Sequence, residues 1–309
     1  MATPDHVRGG VFCVARVTRG TPAPLALVAL LAGAAAIGTS ALFVKVSEAG
    51  PVSTAFWRVF LALPVFLLWA SLEARRSGRA RERGDLRILF AAGFFFAGDL
   101  AFWHWSIVLT SVANATLLAN CAPIFVTLAA WIFLRRRPRA LFLAGLATAL
   151  CGMALLLRGD FAQGGSALLG DALGVVTAIF YAAYQLTVTR ARKSLSTARI
   201  MAASGVITAL ILLPLALSSG ERFLPETGTG WLLLVGLALI SQAGGQSLIA
   251  YAMAHLPATF SSVGLLLQPV VAAALAWMLL GEALTALAIG GGVLVLIGIR
   301  IAHAAQQNE

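Results

Sequence analysis

The sequence predicts an all-α polytopic membrane protein, with ten transmembrane helices arranged as two inverted five-helix repeats. Three observations carry that prediction. Of 309 residues, 60% are hydrophobic and only 11% charged, with a mean hydropathy of +0.91, whereas a water-facing surface needs roughly a quarter of its residues charged. The apolar residues run unbroken for about twenty positions at a time, which at 1.5 Å per residue spans the hydrocarbon core of a bilayer. The pattern of the first half recurs in the second at the step from Pro123 to Pro269. Extended disorder, a disulfide-stapled secreted domain and a water-facing enzyme are excluded by the apolar content. A β-barrel is excluded because its strands alternate polar and apolar with period two.

The spans follow in order. A basic tail over 1–25, with Arg8, Arg16 and Arg19, leads into the first span at 26–46. This layout shares features with a signal peptide, but the apolar run is longer than an h-region and no polar mature domain follows. The second span, 52–71, carries Arg58, and the third, 87–106, carries Asp99, Trp103 and His104. The fourth, 110–133, holds Asn114, Asn120 and Pro123, and the fifth is 140–157. After a short connection the sixth, 168–188, contains Tyr181, Tyr184 and Gln185, and the seventh covers 200–218. The eighth, 230–252, has Gln242 and Gln246, the ninth, 257–280, has Gln268 and Pro269, and the tenth is 284–302, before a tail at 303–309. Connections are too short for an extramembrane domain, so function is expected inside the bundle.

Charge gives the orientation. Of 22 Lys and Arg residues, only Lys45, Arg58, Arg158 and Arg222 fall on one side of this layout. The rest cluster in the first tail, around Arg75 to Arg87, Arg135 to Arg139, Arg190 to Arg199, and at Arg300. Cytoplasmic loops are the ones enriched in Lys and Arg, so both termini are expected in the cytoplasm and the chain in the cell (inner) membrane. The net charge of +10 is therefore insertion signal rather than a nucleic-acid surface. Cys13, Cys121 and Cys151 show no paired spacing, so neither a disulfide framework nor a zinc site is expected.

The repeat pairs Ala97-Gly98 with Ala243-Gly244, Ala130-Trp131 with Ala276-Trp277, and Gly145 and Gly152 with Gly291 and Gly298. Each half, 26–157 and 168–302, holds an odd number of spans, so the second must enter the membrane in the opposite sense. The loop after Trp131 reads Arg135, Arg136, Arg137, while its counterpart after Trp277 reads Gly281, Glu282, Ala283. One copy is charged for the cytoplasm and the other is not. Inverted repeats of this kind recur in secondary transporters, whose two halves rock about a site near the midplane.

Two stretches carry a family resemblance. AFWHWSIVLTSVANATLLANCAPIFVTLAAWIFL from Ala101, continuing through LFLAGLATALCGMALLL, and PATFSSVGLLLQPVVAAALAWMLLGEALTALAIGGGVLVLIG from Pro257 resemble the EamA-type members of the drug/metabolite transporter superfamily. The resemblance covers nearly all of 26–302 and implies a ten-helix exporter of small metabolites with both termini cytoplasmic. The first copy departs from the family's acidic turn by carrying Arg135 to Arg137.

Inside the bundle Asp99 stands out, because a central carboxylate costs about 2.5–3.5 kcal/mol on insertion scales unless it has a partner or a water-filled cavity. At 100° per residue it shares a face with Phe95, Phe102 and Trp103, while His104 lies about 140° away. Asp99 is expected to bind a substrate ammonium or exchange a proton, or else to be satisfied by a neighbouring helix. His104 and the flanking tryptophans equally fit an interfacial belt. Asn114, Asn120, Gln242, Gln246 and Gln268 are candidate substrate contacts or interhelical bridges, as are Tyr181 and Gln185, one turn apart. Arg58 is expected to snorkel, to pair with Asp99, or to meet a substrate carboxylate. Pro123 and Pro269, at equivalent places, are candidate hinges.

No phosphate loop, HExxH or paired metal-ligand spacing is present, so no enzyme, cofactor or metal is expected. The expected function is a secondary transporter exporting an amino acid, amine or aromatic compound by alternating access. Import or exchange, and a membrane-embedded enzyme built on Asp99 and His104, are the alternatives. The partners are a small-molecule substrate and the lipid bilayer, with protons a candidate coupling ion. Monomer and homodimer both remain open.

Overall fold

A computed structural model describes residues 24–77, 85–110, 112–135, 137–157, 167–281 and 283–307, and among these every regular element is helical. Among the described residues, nine helices are long and apolar enough to cross a membrane. They are α1 (Pro24–Lys45), α2 (Pro51–Arg76), α3 (Leu86–Leu109), α4 (Ala115–Phe133), α6 (Leu168–Ala191), α7 (Thr197–Ser218), α8 (Gly228–Ala252), α9 (Ala258–Leu280) and α10 (Ala286–Gln307). The tenth, α5 (Ala140–Leu156), is apolar but only 17 residues long, about 26 Å at the helical rise and thus slightly short of a ~30 Å hydrocarbon core.

Local chemistry sets the helix ends. Asp85 caps α3 by accepting from Arg87 N at 3.0 Å, and Thr227 caps α8 by accepting from Gly230 N at 3.0 Å. Each satisfies a first-turn N–H that no helical carbonyl can reach. At the far ends of α4 and α9 the chain turns through left-handed conformations at Arg135 (φ 53°) and Gly281 (φ 69°), which are matched positions of the repeat. Glycine adopts that conformation freely, whereas an arginine pays about 1–2 kcal/mol. The first copy therefore carries its basic loop at a local conformational cost.

Both α4 and α9 are interrupted in the same place. α4 breaks between its segments ending at Ala119 and starting at Ala122, and α9 breaks between Gly264 and Leu267. Pro123 and Pro269 then sit in the first turn of the resumed segments, where a missing N–H removes no helical bond. Another interruption has no counterpart: Leu237–Gly245 of α8 is π-helical, while the matching stretch of α3 is regular α-helix.

Packing reveals the inversion. A Cβ placed on Gly145 would lie 2.8 Å from Gly298 O, and one on Gly152 would lie 2.6 Å from Gly291 O. Position numbers rise along α5 as they fall along α10, so these equivalent helices cross antiparallel with their backbones in contact. The repeat maps the Gly145–Gly298 pair onto Gly291–Gly152, and the crossing lies on the pseudo-two-fold axis. Other contacts obey the same exchange: α3 packs on α6 as α8 packs on α1, and α4 on α6 as α9 on α1. Large apolar side chains such as Phe133, Leu168, Leu232 and Met278 point outward and are exposed, an arrangement suited to lipid rather than water.

Candidate functional site

Between the two halves lies a cavity of about 1060 Å³, at the upper end of the size of small-molecule sites. Its rim is formed by helix ends and connections: Lys45, Pro51, Leu157, Leu280, Ala283 and Thr285. Because successive helices alternate in direction, these positions all lie on one face of the bundle, opposite the loops rich in arginine. On that face the α1–α2 and α7–α8 connections are tied together. Glu48 accepts from Thr227 Oγ1, Thr227 N and Glu226 N, Val52 N donates to Glu221, and Trp57 Nε1 donates to Phe223 O at 2.8 Å. These bonds to Thr227 and Glu226, the one from the Thr227 hydroxyl foremost, hold the Glu48 carboxyl below its ordinary value of 4.5.

The opposite face is shut. Arg192 donates from Nε to Ala250 O at 3.2 Å and from Nη1 to Leu195 O at 2.5 Å. Leu195, Ile200, Ala250, Met253, Leu256 and Phe260 are buried there in one apolar cluster.

The cavity gathers most of the residues singled out by sequence. Arg58, Asp99, Trp103, Asn120, Tyr181, Gln246, Gln268 and Pro269 all line it. Arg58 is 6% exposed, so it does not snorkel to headgroups; its Nε donates to Gln242 Oε1 at 2.9 Å, across from α2 to the π-helical segment of α8. Gln242 thus acts on the cavity through Arg58. Asp99 is half-buried, with no hydrogen-bond donor and no cation within 4 Å among the described residues. It and Arg58 attract each other across the space without pairing. Asn120 occupies the break in α4 and donates from Nδ2 to Thr116 O at 2.8 Å. Tyr181 accepts a long bond from Gln268 Nε2 at 3.4 Å, and Tyr184 donates to Gln246 Oε1 at 3.5 Å.

Three candidates stand apart from this wall. His104 is buried at 1% exposure, not at an interface; its Nδ1 bonds Leu100 O at 2.5 Å and its Nε2 has no partner among the described residues. Asp99 and His104, the pair an embedded enzyme would need, are therefore not presented together to the cavity. Gln185 is 1% exposed with both amide atoms unpartnered among the described residues, one turn beyond Tyr181 toward the shut face. Pro123 shapes the break in α4 without lining the cavity. The Asn114 side chain lies outside the described residues.

Sequence reasoning passed over Thr116, Thr177 and the alanines Ala272, Ala273 and Ala276, which form smooth parts of the wall. The alanines follow Pro269 at helical spacing. In a chain so rich in alanine that pattern carries no signal until a partner helix is seen to be missing from their face.

Comparisons with known proteins agree with this architecture. The EamA-like transporter family model matches twice, over residues 24–158 and 168–303. The chain is 28% identical over 269 residues to the pseudopaline exporter of Pseudomonas aeruginosa, covering 87% of this chain and 93% of that one. It is 30% identical over 228 residues to a probable terminal-alkyne amino-acid exporter of Streptantibioticus cattleyicolor, covering 73% and 75% respectively. An uncharacterised transporter of Archaeoglobus fulgidus is 25% identical over 281 residues, covering 87% and 94%. A solved crystal structure shares the fold with a TM-score of 0.77 at 18% identity, over 90% of this chain and 96% of that one. Two family matches that together span almost every described residue, on two halves that pack with opposite polarity, establish that the chain belongs to the EamA-like transporter family and is a multi-pass membrane transporter of small molecules.

Proposed function

We propose that this transporter exports a small metabolite, an amino acid, amine or aromatic compound, by alternating access of its two inverted halves. The observation that carries the reading is a cavity lined by helices of both halves, open on one face and shut on the other by the Arg192–Ala250 bond and the buried cluster of Leu195, Ala250, Met253, Leu256 and Phe260. Rocking about the α5–α10 crossing would exchange which face is open. The buried amide of Gln185 and the Ser261 hydroxyl, on packed helices of the shut side, have no hydrogen-bond partner among the described residues. Each costs about 1–3 kcal/mol there, as expected of surfaces that water reaches in the alternate state.

Export accords with the names of two relatives, one of them an amino-acid exporter. The Lys and Arg bias puts the shut face and both termini in the cytoplasm of a cell with the protein in its inner membrane, so the open face here is external. Asp99 is the candidate for proton coupling. The test is counterflow of labelled amino acids and amines in proteoliposomes, with and without a pH gradient. Flux that Asp99→Asn strips of its pH-gradient dependence supports coupling, and flux indifferent to the gradient in wild type removes it. For orientation, after replacement of Cys13, Cys121 and Cys151, a cysteine at Arg222 should react with an impermeant thiol reagent in intact cells and one at Arg79 or Arg136 should not. Labelling at Arg79 from outside would overturn the topology.

A further inference from the structure

Two opposite charges line the same cavity without neutralising each other. Arg58 spends Nε on Gln242, and its remaining guanidinium N–H groups have no protein acceptor among the described residues. Among the described residues Asp99 has no donor and no cation within 4 Å. In the open state water can hydrate both. When the cavity closes that water must leave, and each charge then needs a partner or bears a desolvation cost.

We infer that Arg58 and Asp99 form the two poles of a zwitterion site, taking the carboxylate and the ammonium of one amino acid. The inference rests on the transporter reading and names its substrate class. A guanidinium held by one nitrogen presents its other N–H groups as a fork, the geometry that matches a carboxylate. The anchoring amide comes from the π-helical stretch of α8, an irregularity that recurs at functional sites. Asp99, one helix away, is an acceptor-only group suited to an ammonium. An uncharged compound leaves both poles unpaired, a simple amine leaves Arg58, and a simple acid leaves Asp99. Only a zwitterion satisfies both, so discrimination arises from the unpaired pole as much as from the contacts made. The side chain is left to face Leu100, Trp103 and Ile107 on α3 and Ala272 and Ala276 on α9, an apolar wall that favours an amino acid with an aliphatic or aromatic side chain.

The experiment uses the purified full chain and matched probes: leucine, leucinamide, 4-methylpentanoate and 4-methylpentanamide, which carry both charges, the ammonium, the carboxylate and neither. Calorimetric binding should rank leucine roughly tenfold or more above each singly charged probe, since each of those leaves one charged group without its hydrogen-bonded partner. In Arg58→Gln leucine and leucinamide should bind alike, in Asp99→Asn leucine and 4-methylpentanoate should, and Arg58→Lys should keep part of the preference. The wild-type ranking stands independently of any variant's folding. Equal affinity for 4-methylpentanamide, binding of no probe, or an unchanged ranking in both variants would overturn the inference. Counterflow of leucine in proteoliposomes is read separately. Counterflow without the charge ranking removes the zwitterion site and leaves transport standing. The ranking without counterflow leaves the site standing and counts against the transport reading.

Discussion

Helices α3 and α8 hold matched places in the two halves, yet they do different work. The repeat aligns Asp99 with Gly245, Phe96 with Gln242, Leu100 with Gln246 and Trp103 with Ile249. On α3, a regular helix, Asp99 and Trp103 face the cavity. On α8 the position of the carboxylate is a glycine pressed against α1, where a Cβ would lie 2.7 Å from Ile37 and 3.2 Å from Gly33 O. Three residues before that glycine, α8 supplies Gln242 to hold Arg58, from a π-helical stretch that α3 lacks. Duplication thus provides a symmetric frame, and the site is made of the places where the copies diverge. One copy contributes charge to the cavity, and the other contributes close packing and an orienting amide.

Moving the carboxylate across the pseudo-symmetry is the most severe way to break that comparison. Gly245→Asp would force a side chain into the contact with Ile37 and Gly33, where overpacking alone costs about 1–3 kcal/mol and an unpaired charge adds to it. We expect loss of monodisperse protein on size exclusion, and a well-folded Gly245→Asp would show that α1 and α8 are not held together as described. Asp99→Asn, by contrast, should leave yield and melting temperature nearly unchanged, because the carboxylate has no hydrogen bond or ion pair to lose among the described residues, yet lower amino-acid counterflow roughly tenfold or more. Wild-type flux in that variant would return Asp99 to a bystander.

The matched prolines test the symmetric part of the frame. Pro123→Ala and Pro269→Ala should both fold and both slow counterflow, with the larger effect at Pro269 because only it also lines the cavity. Undiminished flux in both would reduce the breaks in α4 and α9 to packing features.

The smallest effect is expected at the clasp between the halves on the open face of the cavity. Glu48 is held below 4.5 by its bonds from Thr227 and Glu226, so its contribution to stability is present above its ordinary value and is lost as pH falls through the lowered one. Glu48 is exposed, so the contribution is small. The melting temperature of Glu48→Gln should lie slightly below wild type at pH 6 to 7, and the gap should close as the pH is taken below about 4.5. A gap that widens on acidification would contradict the assigned hydrogen bonds.

Much of this was legible before any fold was known. Apolar run length gave the helices, because a bilayer imposes one length on everything that crosses it. The odd number of spans per copy and the contrast between Arg135–Arg137 and Gly281–Ala283 gave the inversion. Asp99 declared itself by cost, since an intramembrane carboxylate is rare without a use for it. Spacing along one helix could not show which groups on other helices it meets, and so could not reveal that Arg58 is buried against Gln242, that His104 and Gln185 lie off the cavity, or that α8 is π-helical.

By itself the sequence determined the number of helices and the duplicated, inverted architecture, for each follows from quantities that add along the chain: hydrophobicity, charge and register. Only the tertiary structure decided which polar groups share one cavity, which face of the bundle is open and where a glycine lets two helices touch. Those depend on side chains far apart in sequence meeting across helix interfaces, and no property of a single helix contains the rotation at which its neighbours approach.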